Sequence, residues 1–164
     1  METFIERPPE PTDNGFNVTQ GDDDDNVLEG DEHDNWILGH GGDDTLIGKG
    51  GSDILEGGDG DDTLTGDEGN PLSATAGYGF RFDRDDGTDT ITNFRLFCPA
   101  CVMAPNTSLD HIFLKRGTPA EVDAAVQGAT ATPEGNAVVT YGDTKIILEG
   151  YQPSEVKDYW FIAG

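Results

Sequence analysis

Residues 21–65 read GDDDDNVLE (21–29), GDEHDNWIL (30–38), GHGGDDTLI (39–47), GKGGSDILE (48–56) and GGDGDDTLT (57–65). In steps of nine, position one is always glycine: Gly21, Gly30, Gly39, Gly48 and Gly57. Position six is Asn26, Asn35, Asp44, Asp53 and Asp62, and position eight is Leu28, Ile37, Leu46, Leu55 and Leu64. Position four becomes glycine from the third copy onward, at Gly42, Gly51 and Gly60. A sixth copy, GDEGNPLSA from Gly66, has decayed and carries Pro71 at position six. Decay at the end of an array is expected, because a terminal repeat must cap rather than stack. In each copy six residues turn and three extend. The glycines permit the backbone angles such turns need. One aliphatic residue per copy makes a core only when copies stack, so two nonapeptides complete one coil of two short parallel sheets.

Composition points the same way. The chain has 164 residues, 33 Asp plus Glu against 9 Lys plus Arg, and a net charge of −24. Residues 21–69 hold 17 of those acids, a single base (Lys49) and 13 of the 23 glycines. Acidity with only 34% hydrophobic residues would ordinarily leave a chain disordered, unless a cation neutralises the carboxylates. A nucleic-acid partner is disfavoured for want of a basic face. No apolar run approaches the length of a membrane span. An acidic linker with accidental glycines would not show five-fold phasing. An EF-hand would need a twelve-residue loop between helices, with glycine at six and glutamate at twelve, and no window provides one.

The repeats resemble the RTX (repeats-in-toxin, hemolysin-type) calcium-binding family, whose nonapeptide is G-G-x-G-x-D-x-U-x. The copy at 57–65 fits every fixed position; the third and fourth copies depart at position two, with His40 and Lys49. The resemblance implies an all-β fold: a right-handed parallel β-roll over 21–74, after a flexible leader (1–20), continuing into a β-rich cap (75–164) with one short helix. Calcium takes six to eight oxygens, so one turn supplies about half the shell and a stacked turn the rest. Turns 21–26, 39–44 and 57–62 share one edge of the roll, and turns 30–35, 48–53 and 66–71 the other. The expected side-chain ligands are Asp44, Asp53 and Asp62, with carbonyls at Gly39, Gly41, Gly48, Gly50, Gly57 and Asp59. Gly21, Asp23 and Asn26, and Gly30, Glu32 and Asn35, extend the set into the first two copies, for three to five Ca2+ ions in all.

Residues 77–94 alternate like strands and contain Gly87-Thr88-Asp89, similar to the element that continues the stack in RTX proteins. Leu109–Leu114 looks like the strand after it. Asp89 and Asp110 are therefore further calcium candidates, each with a solvated turn acid as the other reading. Thr118-Pro119-Ala120-Glu121 is a capping box with proline at the first helical position, predicting a helix over 119–127 that ends at Gly128. Gly142-Asp143 between two alternating runs predicts a hairpin within 136–149. Residues 157–164 predict a last apolar strand.

The N-terminus has no basic and apolar regions of a signal peptide. Membership of the family implies export without one, by the type I secretion machinery, to an extracellular location, using a C-terminal signal. Cys98-Pro99-Ala100-Cys101 leaves four readings open: a local disulfide, two buried thiols, a redox pair, or part of a zinc site with His111. No H-E-x-x-H, G-x-S-x-G or triad spacing is present, so an enzyme is not expected. The leading expectation is a calcium-folded module of a secreted protein with a structural or secretory role. The alternative is a carbohydrate (alginate-like) binding module, with Arg81, Arg84, Arg95, Tyr78, Phe80 and Phe82 as a stripe along a glycan; a protein partner also remains open. Trp36, Leu38 and Ile54 should point outward and be covered by the C-terminal part or a second chain.

Overall fold

Each nonapeptide delivers one short strand, and successive strands alternate between two sheets. The structure, a computed structural model, describes residues 15–66, 79–94 and 110–164. Strands β1 (Asn17–Gln20), β2 (Val27–Glu29), β3 (Asn35–Gly41), β4 (Thr45–Ile47), β5 (Ile54–Asp59), β6 (Thr63–Thr65), β7 (Gly79–Phe82), β8 (Thr88–Thr92) and β9 (His111–Leu114) precede helix α1 (Pro119–Gln127). Strands β10 (Thr130–Ala131), β11 (Ala137–Tyr141), β12 (Thr144–Leu148) and β13 (Phe161–Ala163) follow it. The first sheet has the order β1-β3-β5-β7-β9-β13 and the second β10-β11-β12-β8-β6-β4-β2. Every pairing is parallel except those of the β10-β11-β12 meander. The described strands thus form a parallel β-roll whose two sheets continue into the cap.

The register follows from the period. Ile37 faces Leu55, Phe80 and then Ile112 and Phe161 along the inside of the first sheet. Leu28, Leu46, Leu64, Ile91 and Leu148 form the matching inner row of the second. All but Leu28, which is half-buried in the first coil, are buried. A fully buried aliphatic side chain is worth roughly 2 kcal/mol, whereas ordering the backbone costs about 1–2 kcal/mol for each of nine residues. The roll therefore cannot rest on its inner rows alone.

The cap follows the predicted elements closely. Helix α1 spans the expected residues, with Thr118 and Glu121 completing the capping box and Gly128 at its end. The hairpin joins β11 to β12 around Gly142, whose φ is 63°. The last segment differs: a 3-10 turn (Asp158–Trp160) precedes β13, which pairs with β9. The leader boundary also differs. Asn17–Gln20 is not leader but the first strand, paired with β3 from Asn17↔Asn35 to Gln20↔Leu38. Its backbone meets an open strand edge eighteen residues downstream, although no glycine at position one announces a repeat there. Residues 1–14, the sixth copy beyond Gly66, Tyr78, Arg95 and the Cys98–Cys101 segment lie outside the described residues.

The outer face of the first sheet is covered at Trp36, by Phe16 of the expected leader and by Arg81, while Val18, in register with Trp36, is exposed. Trp36 is fully buried. Phe16 meets it edge-on at 6.3 Å, and the Arg81 guanidinium stacks 4.9 Å above its ring. Arg81 also pairs with Glu56 at 3.2 Å.

Candidate metal centre

The site is built from position six. In the turn column that leads into the second sheet, the Asn26 N–H donates to Asp44 Oδ1 at 2.8 Å, the Asp44 N–H to Asp62 Oδ1 at 2.8 Å, and the Asp62 N–H to Asp89 Oδ1 at 3.1 Å. On the other edge the Asn35 N–H donates to Asp53 Oδ1 at 2.8 Å. Each aspartate thus spends one oxygen on the backbone of the coil before it. The second oxygen has no donor. Oδ2 of Asp44, Asp53, Asp62 and Asp89 are all buried without a hydrogen-bond partner. A buried carboxylate oxygen left unpaired costs kilocalories, and three in one column with one in the other mark places for cations.

The surrounding geometry fits that reading. A methyl group added to Gly39 would collide with Asp44 Oδ2 and with the carbonyl oxygen of Gly57 in the next coil. Gly48 stands in the same relation to Asp53 Oδ2 and the Gly66 carbonyl, and Gly57 to Asp62 Oδ2. Gly39 and Gly48 therefore clear space where a carboxylate oxygen meets a carbonyl oxygen. Both oxygens are hard donors of the kind calcium takes.

Electrostatics make the absence of a counter-charge costly. Burial pushes the Asp53 carboxyl up to about 7, Asp62 to about 6 and Asp89 to about 9, and raises Asp44 as well; backbone N–H donors oppose the shift. Neighbouring carboxylates add to it, including Asp34 beside Asp53 and Asp86 beside Asp62.

The structure sorts the expected residues into groups. Asp44, Asp62 and Asp89 share one column and Asp53 lies in the other, with the Gly39, Gly48 and Gly57 carbonyls at the glycine clefts of Gly21, Gly30 and Gly39. Asn26 and Asn35 occupy the same positions in the first coil. Asp23 lies against Gly41, and Glu32 against Gly50. Asp59 is exposed at the roll surface, paired in register with Gly41. Asp110 is buried just before β9, one strand beyond β7 from Asp53. The first column ends where β12 replaces the acid: Ile146 faces Asp89.

A second ladder was not anticipated. At position five, Asp25 Oδ1 accepts the N–H of Asp43, Asp43 Oδ1 that of Asp61, and Asp61 Oδ1 that of Thr88. Asp34 accepts from Ser52 in the other column. The signal was present in the sequence: aspartate recurs at position five in four of the five copies. Of the stripe considered for a glycan, Phe80 and Phe82 are core residues, Arg81 is buried and Arg84 is engaged with Glu121 at 2.9 Å, while Tyr78 and Arg95 lie outside the described residues.

Comparison with known proteins agrees with this geometry. The model of the RTX calcium-binding nonapeptide repeat matches residues 12–46, 20–55 and 38–71. Residues 12–71 thus match RTX calcium-binding repeats. No curated protein sequence matches it. Among solved structures it is similar to the extracellular lipase LipA from Serratia marcescens, at 26% identity and a TM-score of 0.63 over 90% of this chain. The chain spans only 21% of that lipase. It is also similar to the AlgE6R3 subunit of the Azotobacter vinelandii mannuronan C5-epimerase, at 24% identity and a TM-score of 0.57, covering 94% of this chain and 86% of that one. The second likeness is one of fold.

Proposed function

We propose that this chain is a calcium-folded module of a secreted protein, with ions held along the two turn columns at Asp44, Asp53, Asp62 and Asp89. The observation that carries the reading is the set of four buried Oδ2 atoms without a donor. Calcium, when bound, supplies a hard dication to such carboxylate and carbonyl oxygens. The chain's own groups do the rest. Backbone N–H donors fix one oxygen of each carboxylate, and the position-one glycines keep the space beside the other clear.

The function follows from where calcium is abundant. Extracellular calcium modules bind at about 10⁻⁴–10⁻³ M, so inside a cell the roll stays unfolded and can pass an export channel of the type I kind. Outside, the ion folds it. Binding stabilises the folded state by about 1.4 kcal/mol per tenfold excess of calcium over its dissociation constant. Far-UV circular dichroism during a calcium titration tests this. A cooperative gain of β-structure is expected, and an unchanged β-rich spectrum in chelator would sink the reading. Binding to glycans, the other role considered for the module, is tested by screening the calcium-loaded protein against an oligosaccharide panel that includes alginate.

A further inference from the structure

Two of the five repeat turns lack the open oxygen, and both lie in the first coil. In turn 21–26 the Asp22 N–H donates to Asn26 Oδ1 at 2.8 Å, while Asn26 Nδ2 donates to Asp22 Oδ1 at 3.2 Å. The same Asp22 oxygen accepts the Asp24 N–H at 3.0 Å. Turn 30–35 makes the amide half of the same clasp. Asn35 Nδ2 donates to Asp31 Oδ1 at 3.2 Å and to the His33 carbonyl, and Asp31 Oδ1 accepts the His33 N–H at 2.8 Å. An amide can do this because it donates as well as accepts; a carboxylate only accepts. With Asn26 and Asn35 in place, the acid at position two finds its counter-charge in N–H groups of its own turn.

The backbone changes along with the side chains. In the later turns position two is left-handed, with φ of 84° at His40, 72° at Lys49 and 108° at Gly58, and position four is too, at Gly42, Gly51 and Gly60. Asp22, Asp24, Asp31 and His33, at the same positions of the first two turns, do not have positive φ. The first coil is therefore a different turn, not a weaker version of the later one. Three features switch together between the second and third copies: an acid at position two, an amide at position six, and the absence of left-handed residues.

We infer that turns 21–26 and 30–35 are built to stand without an ion, and that the Asp22–Asn26 and Asp31–Asn35 clasps replace it, so that the calcium array begins at Asp44 and Asp53. Asn26 and Asn35 set where metal binding stops, and Asp22 and Asp31 position them. The inference rests on the calcium reading above and narrows it, since the sequence suggested that Gly21, Asp23, Asn26, Gly30, Glu32 and Asn35 take part in binding. A roll whose outermost coil needs no ion has a finished end, because its turn groups are satisfied within the turn.

The test counts calcium ions per chain by native mass spectrometry of the full-length protein, with circular dichroism confirming that each variant folds in calcium. The Asn26→Ala and Asn35→Ala variants should keep the wild-type count and melt at a lower temperature. The Asp22→Asn and Asp31→Asn variants, milder and less disruptive to folding, should also keep it, whereas Asp53→Asn should lose at least one ion. Converting the first turn to the later pattern, Asp22→Gly and Asp24→Gly with Asn26→Asp, should raise the count by one. Loss of an ion on substituting Asn26, Asn35, Asp22 or Asp31 overturns the inference, as does an unchanged count in the converted turn. A wild-type protein that binds no calcium instead overturns the functional reading itself.

Discussion

The roll and the cap solve the same folding problem by different means. Between residues 39 and 65 each nonapeptide buries one aliphatic residue and leaves its position-six carboxylate to be matched by something outside the chain. The cap brings its own partners. Phe94, Tyr151 and Trp160 pack ring against ring at 5.5–5.9 Å. Val122, Val139, Ile146 and Phe161 close the same cluster. Tyr141 Oη donates to the Lys115 carbonyl at 2.6 Å, and Arg84 holds Glu121. One half is thus stabilised by burial and the other by charge neutralisation, although a single pair of sheets runs through both. The difference predicts opposite responses to calcium.

The largest effect expected is on chelation. The protein has two tryptophans, Trp36 in the roll and Trp160 in the cap, so Trp160→Phe and Trp36→Phe variants each report on one region. In chelator the Trp36 emission should shift to the red and that of Trp160 should stay blue. Loss of both signals together would mean that the two regions fold as one unit. Next comes Trp160→Ala, which should cost about 3–5 kcal/mol by cavity formation, read as a lower melting temperature of the cap with and without calcium. An effect seen only in calcium would move Trp160 to the roll's side of the comparison.

Asp62→Asn should be the mirror case. Asp62 accepts from Asp44 and its N–H donates to Asp89, so losing its charge interrupts the column in the middle. About 2.7 kcal/mol should be lost at a hundred-fold excess of calcium over the dissociation constant, measured by chemical denaturation. The same substitution should stabilise the protein, or leave it unchanged, in chelator. Equal losses in both conditions would make Asp62 a structural residue only.

The smallest effect expected is that of pH in chelator. The folded-state carboxyls of Asp62, Asp53 and Asp89 are raised to about 6, 7 and 9, so between their unfolded and folded values the folded state holds more protons. Without calcium, low pH should therefore favour the folded roll, and that stability should be lost as pH rises from about 4 through about 9, the reverse of a salt-bridged acid. Calcium should flatten the dependence. A melting temperature that rises over that range in chelator would contradict the burial-driven shifts.

How much of this was legible in the sequence depended on local repetition. Gly39-to-Leu46 and its successors announced turns, strands and the position-six acids, because everything they need recurs nine residues away. Asp89 was reached through the single Gly87-Thr88-Asp89 signature, and the helix through Thr118 and Glu121. Strand β1 was missed because Asn17–Gln20 has the pairing partner of a repeat without its glycines. The position-five ladder was missed because aspartate in a turn looks like ordinary solvation until Asp43 and Asp61 are seen to accept backbone N–H groups one coil away. That β12 would extend the second sheet beside β8, placing Ile146 against Asp89, could not be read from spacing. The two strands are joined by long-range packing, with most of the cap between them.

The eighteen-residue spacing of the ladders has a consequence for how such a chain can change its length. Asp44 answers Asn26, and Asp62 answers Asp44, always eighteen residues on. Duplicating or deleting eighteen residues would therefore leave every partner in phase. A change of nine would move all later strands to the opposite sheet and exchange the two columns. Beyond Gly66 the spacing in the same column becomes 27 residues, from Asp62 to Asp89, while on the other sheet Ile54 meets Gly79. Of the nine extra residues, seven fall before Gly79 and two between Gly79 and Asp89, and the acid returns to its own column. A lineage of such proteins can lengthen by whole coils anywhere within the repeats, but by half-coils only where a loop can take up the odd nine residues.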